Sequence, residues 1–284
     1  RPMLVSMTER GCDSAGFAVY RDEYDAGIKL TLRSNDSNFN WIALADQLAT
    51  QFGKVDEWSR NNTVAVFKLP VDEATVLNWL KENVPEIEVM SAGHSIEILK
   101  GVGLPAEVAD HFDLAKMKGS HAIGHTRLAT ESAVTIQGSH PFSTGMDLCL
   151  VHNGSLSNHN RLREKLKREG IEFKTDNDSE VAAGYLAWRL SQGDSLQTAL
   201  QNALKDLDGF FTFTIGTRDG FAVLRDPIAC KPAVIAETDD YVAMASEYRA
   251  LANLPGIRDA KVWEPEPAKL YVWERNSTTT AGAV

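Results

Sequence analysis

The chain has 284 residues, 43% hydrophobic, 24% charged and 8% aromatic, with a net charge of −10. Those proportions exclude disordered, collagen-like and coiled-coil chains, and the acidity argues against nucleic acid or an anionic membrane as the main partner. No apolar run reaches membrane-spanning length, and three widely spaced cysteines (Cys12, Cys149, Cys230) read as reduced, packed thiols of a cytoplasmic protein.

The chain opens Arg1-Pro2-Met3-Leu4, with neither an initiator methionine nor a signal peptide, so a processed or omitted leader is expected. Residues 3–7 read as the tail of a helix stopped at Gly11, and residues 15–20 and 28–32 as strands around a charged turn. Apolar residues at Trp41, Leu44, Ala45, Leu48 and Phe52 have helical spacing, closed by Gly53. Residues 63–69 alternate as a strand, 72–83 form an amphipathic helix, and 87–90 and 95–99 are short strands. This α+β stretch, at about residues 21–120, reads as an insert.

From His121 onward the texture changes to short β runs and polar turns. Cys149-Leu150-Val151-His152 is a buried type of strand, ending at the turn dipeptide Asn153-Gly154. Helices are expected at 158–169 with Asn158 as cap, at 179–190 and at 195–207. A hairpin follows around Arg218-Asp219-Gly220, then a second around Asp239-Asp240. Residues 260–274 read as one last strand region and 276–284 as a disordered tail. The pattern points to an α+β, layered architecture rich in antiparallel hairpins.

Four blocks place polar groups at strand ends, where binding residues tend to sit. They are Arg10 to Gly16, Gly124 to Thr130, Val151 to Gly154, and Thr175 to Glu180. Each alone has a structural explanation: a turn, an ion-paired arginine, or a capping box at Asp178-Ser179-Glu180. The pair Gly101-Val102-Gly103 lacks the third glycine and helix of a dinucleotide fingerprint.

In this order, however, the blocks resemble the class II glutamine amidotransferases, the amino-terminal-nucleophile glutaminases. The family pattern RG-x-D-S-x-G, HTR-x-AT, His-Pro, HNG and D-[ST]-E is matched by Arg10 to Gly16, His125 to Thr130, His140-Pro141, His152 to Gly154, and Asp178 to Glu180. A further segment, Arg225-Asp226-Pro227, Lys231-Pro232 and Ala245-Ser246-Glu247, is similar to the family's RDP…KP…ASE. The resemblance implies a four-layer α/β/β/α sandwich of antiparallel sheets and one amidotransferase domain over residues 1–275. It implies that Arg127 holds the α-carboxylate of glutamine and Asp178 its α-ammonium, with Thr130 and His140 lining the pocket. Asn153 (side-chain NH₂) and Gly154 (backbone N–H) would form the oxyanion hole. His152 is expected to be a structural strand-end residue rather than a base.

The family's nucleophile is an amino-terminal cysteine whose own amine acts as base. It opens a Cys-Gly-Ile-Val-Gly strand for which this chain has no counterpart before Arg10, so that strand is expected upstream. Since the chain ends soon after the motifs, a free-standing glutaminase subunit is expected. It resembles those of split glutamate synthases and of N-methylglutamate synthase (methylamine–glutamate N-methyltransferase). The resemblance then implies synthase partners in a hetero-oligomer, with any FMN or iron–sulfur centre on them and no cofactor or metal here. The alternatives are a non-catalytic scaffold subunit lacking the cysteine, or a self-contained γ-glutamyl amide hydrolase.

Overall fold

The computed structural model describes residues 1–129 and 133–275; the expected tail, 276–284, lies outside the described residues. The chain starts with a short helix α1 (Pro2–Val5) and a 3₁₀ turn, then β1 (Ser14–Tyr20). A βαββαβ unit follows: β2 (Ile28–Arg33), α2 (Trp41–Phe52), β3 (Glu57–Asn61), β4 (Val64–Leu69), α3 (Glu73–Asn83) and β5 (Glu88–Gly93). Its helices begin where Asn40 accepts the Ala43 N–H at 3.1 Å and Asp72 the Thr75 N–H at 2.9 Å. The strand order β3-β4-β2-β5, antiparallel throughout, is that of a ferredoxin-like split βαβ unit.

The alternation of β2 explains how this unit docks. Ile28, Leu30 and Leu32 pack under its two helices, while Lys29, Thr31 and Arg33 face the other way and are also buried. Lys29 meets Glu97 at 2.5 Å, and Arg33 meets Glu88 at 3.0 Å. A buried charge needs such a partner.

The main body resumes with β6 (Ile96–Val102), α4 (Pro105–His111), β7 (His121–Arg127), β8 (Phe142–Gly145) and β9 (Leu148–Leu156). Helices α5 (His159–Arg168), α6 (Asp178–Ser191) and α7 (Leu196–Asp206) precede β10 (Gly209–Gly216) and β11 (Gly220–Arg225). The chain continues through β12 (Val234–Glu237), β13 (Val242–Ala245), α8 (Tyr248–Leu251), β14 (Lys261–Trp263) and β15 (Leu270–Glu274). The expected final strand region is thus two strands: β14 joins the small sheet β13-β12-β14 and β15 pairs with β11. Both expected hairpins form, β10–β11 and β12–β13.

Two sheets, β6-β1-β7 and β15-β11-β10-β9-β8, lie face to face. Ala18, Tyr20, Ile98 and Ile123 of the first pack on Cys149 and Val151 of the second. The outer face of the first carries Phe17 and Val19 against α4, and that of the second carries Leu150, Phe211 and Phe213 against α5, α6 and α7. The period of two along each strand buries both faces and yields the expected α/β/β/α layering.

Candidate active site

Where the two sheets diverge, a cleft of about 990 Å³ opens, lined by every residue of β7 from His121 to Arg127 and by Val151 to Ser155 of β9. Strand β7 is the edge of its sheet. Five expected site residues reach this cleft: Arg127, His140, Asn153, Gly154 and Asp178. The sixth, Thr130, lies outside the described residues.

Arg127 is the last residue of β7 and is buried, donating from Nη1 to the Ala133 carbonyl at 3.3 Å. Burial works to lower its pKa, opposed by the charges of Asp13 and Asp178, and a guanidinium stays protonated. Asp13 also accepts the Ala129 N–H at 2.8 Å, fixing the chain just past Arg127.

Asp178 stands in the first turn of α6, where the helix dipole favours a carboxylate. The cap is Asn177, which accepts the Ser179 N–H at 2.9 Å, not the expected Asp178-Ser179-Glu180 box. Glu180 instead reaches back to the N–H groups of Lys174 and Thr175. Asp178 is therefore not engaged as the cap.

Asn153 and Gly154 do not form a turn. They lie within β9, opposite Thr212 and Phe211 of β10. The Asn-Gly turn preference yields to a full-length neighbouring strand that comes in very close: a Cβ on Gly154 would stand 2.0 Å from the Phe210 carbonyl oxygen. On the same strand His152 is interior rather than terminal. Likewise Asn158 precedes α5 without capping it, and its side chain binds Asp206 and Asp208 instead.

Three imidazoles form one wall. His125 and His140 have ring centroids 4.2 Å apart, and both ring nitrogens of His140 lack a hydrogen-bond partner among the described residues. Burial pushes His140 well below the usual histidine range and His152 down to about 4, so both are neutral at pH 7. His152 Nδ1 lies 2.9 Å from Ser179 Oγ.

Besides Arg127, the cleft is lined by the cationic residues Arg1, Arg10, Arg163 and Lys231. Arg10 pairs with Glu247 at 3.0 Å, and the Lys231 ammonium lies over the Phe210 ring at 5.1 Å. Arg10 and Lys231 stand in the recognised motif segments, which was the signal available for them. The cysteines correct another expectation: Cys149 alone is packed, its thiol pushed up to about 11 by burial, whereas Cys12 and Cys230 are exposed. None of the three lines the cleft. Among the described residues no group of three His, Cys, Asp or Glu is placed to hold a metal, and no helix is long and apolar enough to cross a membrane.

The cleft thus combines a guanidinium, a carboxylate and an amide–glycine pair. Comparison with known proteins gives the same direction. The glutamine amidotransferase domain profile matches residues 125–253. The chain is 54% identical to the glutamine amidotransferase-like protein GlxB of Rhizobium meliloti over 276 residues, 96% of this chain and 90% of that protein. It is 32% identical over 178 residues to the amidophosphoribosyltransferase of Archaeoglobus fulgidus, covering 61% of this chain and 39% of that one. Its fold matches the glutamine phosphoribosylpyrophosphate amidotransferase of B. subtilis with a TM-score of 0.57, at 21% identity, over 95% of this chain and 48% of that structure.

Proposed function

Because this chain belongs to the class II glutamine amidotransferase family, we propose that its cleft binds glutamine and releases the side-chain nitrogen as ammonia for a separate synthase subunit. The observation that carries this reading is the convergence of Arg127, Asp178 and the Asn153-Gly154 pair on one cleft. Free glutamine offers complementary groups: a carboxylate for the guanidinium, an ammonium for the carboxylate, and an amide whose hydrolysis passes through an oxyanion.

The nucleophile in this reading is an amino-terminal cysteine on a strand preceding Arg1. Its thiol adds to the amide carbon and its α-amine takes the proton. The oxyanion is held by the Asn153 NH₂ and the Gly154 N–H. Collapse expels ammonia and leaves a thioester, which water converts to glutamate. Two features support such a strand: β7 presents an edge to the cleft, and 990 Å³ far exceeds the space a five-carbon amino acid fills. Roles for His140 and Thr130 in lining the pocket belong to the same proposal.

The ammonia acceptor is proposed to be a glutamate synthase-like or N-methylglutamate synthase partner, which would carry any FMN or iron–sulfur centre. The test is glutamine-dependent ammonia release by the protein purified from its source, with peptide mapping of its amino terminus and identification of co-purifying subunits. Ammonia release, a free terminal cysteine and a synthase partner are expected. A native terminus at Arg1 with no ammonia release would replace this reading with a scaffold subunit, and cleavage of γ-glutamyl amides without any partner would favour a hydrolase.

A further inference from the structure

A substrate that spans from Asp178 to the Asn153-Gly154 pair must match the separation of two different elements, α6 and β9. What fixes that separation is visible in the structure. His152, the residue before Asn153, and Ser179, the residue after Asp178, meet through the 2.9 Å contact of Nδ1 and Oγ, and each is only 3% exposed. The Leu156 N–H donates to Asp178 Oδ2 at 2.8 Å, a second tie between the same elements.

Neither partner is free to swing. The His152 ring stands edge-on to Phe213, with centroids 5.2 Å apart and planes at 74°. Ser179 is held through its own N–H by Asn177, whose side-chain NH₂ donates to the Gly138 carbonyl at 2.9 Å. A buried hydrogen bond between two immobilised groups resists stretching, because lengthening it leaves the His152 Nδ1 without its partner.

We propose that the His152–Ser179 pair is a positioning device that sets substrate length, favouring glutamine over asparagine, which is one methylene shorter. This inference rests on the glutamine reading of the cleft. His152 and Ser179 act through their neighbours: they hold the oxyanion donors and the ammonium-binding carboxylate at one fixed span. Asparagine, anchored at Arg127 and Asp178, falls short of Asn153 and Gly154. A methylene mismatch in a rigid site discriminates by about 10–200-fold.

The test is calorimetric titration of the full chain with L-glutamine and with L-asparagine, for wild type, Ser179→Ala, Ser179→Thr and His152→Phe, with thermal melts to establish folding. Wild type is expected to prefer glutamine by at least about tenfold. Ser179→Ala and His152→Phe should bring the two affinities several-fold closer, while Ser179→Thr, which keeps the hydroxyl, should restore the wild-type ratio. If the folded alanine and phenylalanine variants weaken both ligands equally, or leave the ratio unchanged, the pair has no role in length selection. If wild type binds neither amino acid, the glutamine reading itself falls and this inference with it.

Discussion

The carboxylate that opens α6 also closes the end of β9: Asp178 Oδ2 accepts the Leu156 backbone N–H at 2.8 Å. One oxygen of Asp178 therefore has a structural partner. Its other oxygen, Oδ1, lies 3.4 Å from Ser179 Oγ and 3.9 Å from His152 Nδ1. The charge of Asp178 is what an incoming ammonium would use. Asp178→Asn keeps an acceptor for Leu156 and removes only the charge. It is expected to weaken glutamine binding by about 10–100-fold, the worth of a charge-assisted hydrogen bond, with little change in Tm. Titration with 4-carbamoylbutanoate, which lacks the α-ammonium, should give the same affinity in both proteins. A matching loss for that compound would remove Asp178 from ammonium recognition.

Arg127→Ala should raise the KM for glutamine at least tenfold in the catalytically complete protein, because the α-carboxylate loses its partner. Arg127→Lys should recover little of this, since an ammonium cannot make the paired, planar contact of a guanidinium. Steady-state kinetics of the two variants decides the matter, and a wild-type KM in either would argue against that role.

Asn153→Ala should depress turnover far more than binding, by about 10²–10³ in kcat with KM little changed, if its NH₂ holds the oxyanion. Single-turnover rates in the protein carrying its nucleophile measure this. Gly154→Ala is expected to fail differently: its Cβ would fall 2.0 Å from the Phe210 carbonyl, so β9 and β10 must part and the melting temperature drops.

The buried imidazoles make stability depend on pH. His152 is held at about 4 by burial, below the unfolded value near 6.5, and burial also puts His140 well below the usual histidine range. Between those values the unfolded chain binds more protons than the folded one, so stability is full above pH 6.5 and falls as pH drops towards 4. His152 alone contributes about 2 kcal/mol of this loss between pH 6.5 and 5. Thermal unfolding across that range should show a falling Tm, with a shallower slope in His152→Phe. A slope that is flat, or equal in both proteins, would contradict the neutral buried assignment.

Much of this could be read in the sequence. The helices at 41–52, 73–83 and 196–206 are legible in apolar spacing, and the structure adds their caps: the side chains of Asn40, Asp72 and Ser195 each accept an N–H at the helix start. The β10–β11 hairpin followed from Asp219-Gly220. What was hidden depends on distant partners. Asn153-Gly154 looks like a turn until β10 is laid against it, and strand β3 is too polar and exposed to show a pattern. Motif order brought out Arg127, Asn153 and Asp178, whereas the His152–Ser179 contact spans 27 positions that local periodicity cannot bridge.

The cysteines offer a simple check on the packing. In the 284-residue chain, Cys12 and Cys230 should react with a disulfide reagent within minutes, and Cys149, buried and raised to about 11, only on unfolding. Three fast thiols would contradict the packing around β9.

The most direct test is a crystal structure of the protein with L-glutamine bound. The account predicts the α-carboxylate on the Arg127 guanidinium, the α-ammonium on Asp178, and the side-chain amide oxygen facing the Asn153 NH₂ and the Gly154 N–H. Glutamine bound in the reverse orientation, or outside the cleft between β7 and β9, would contradict it.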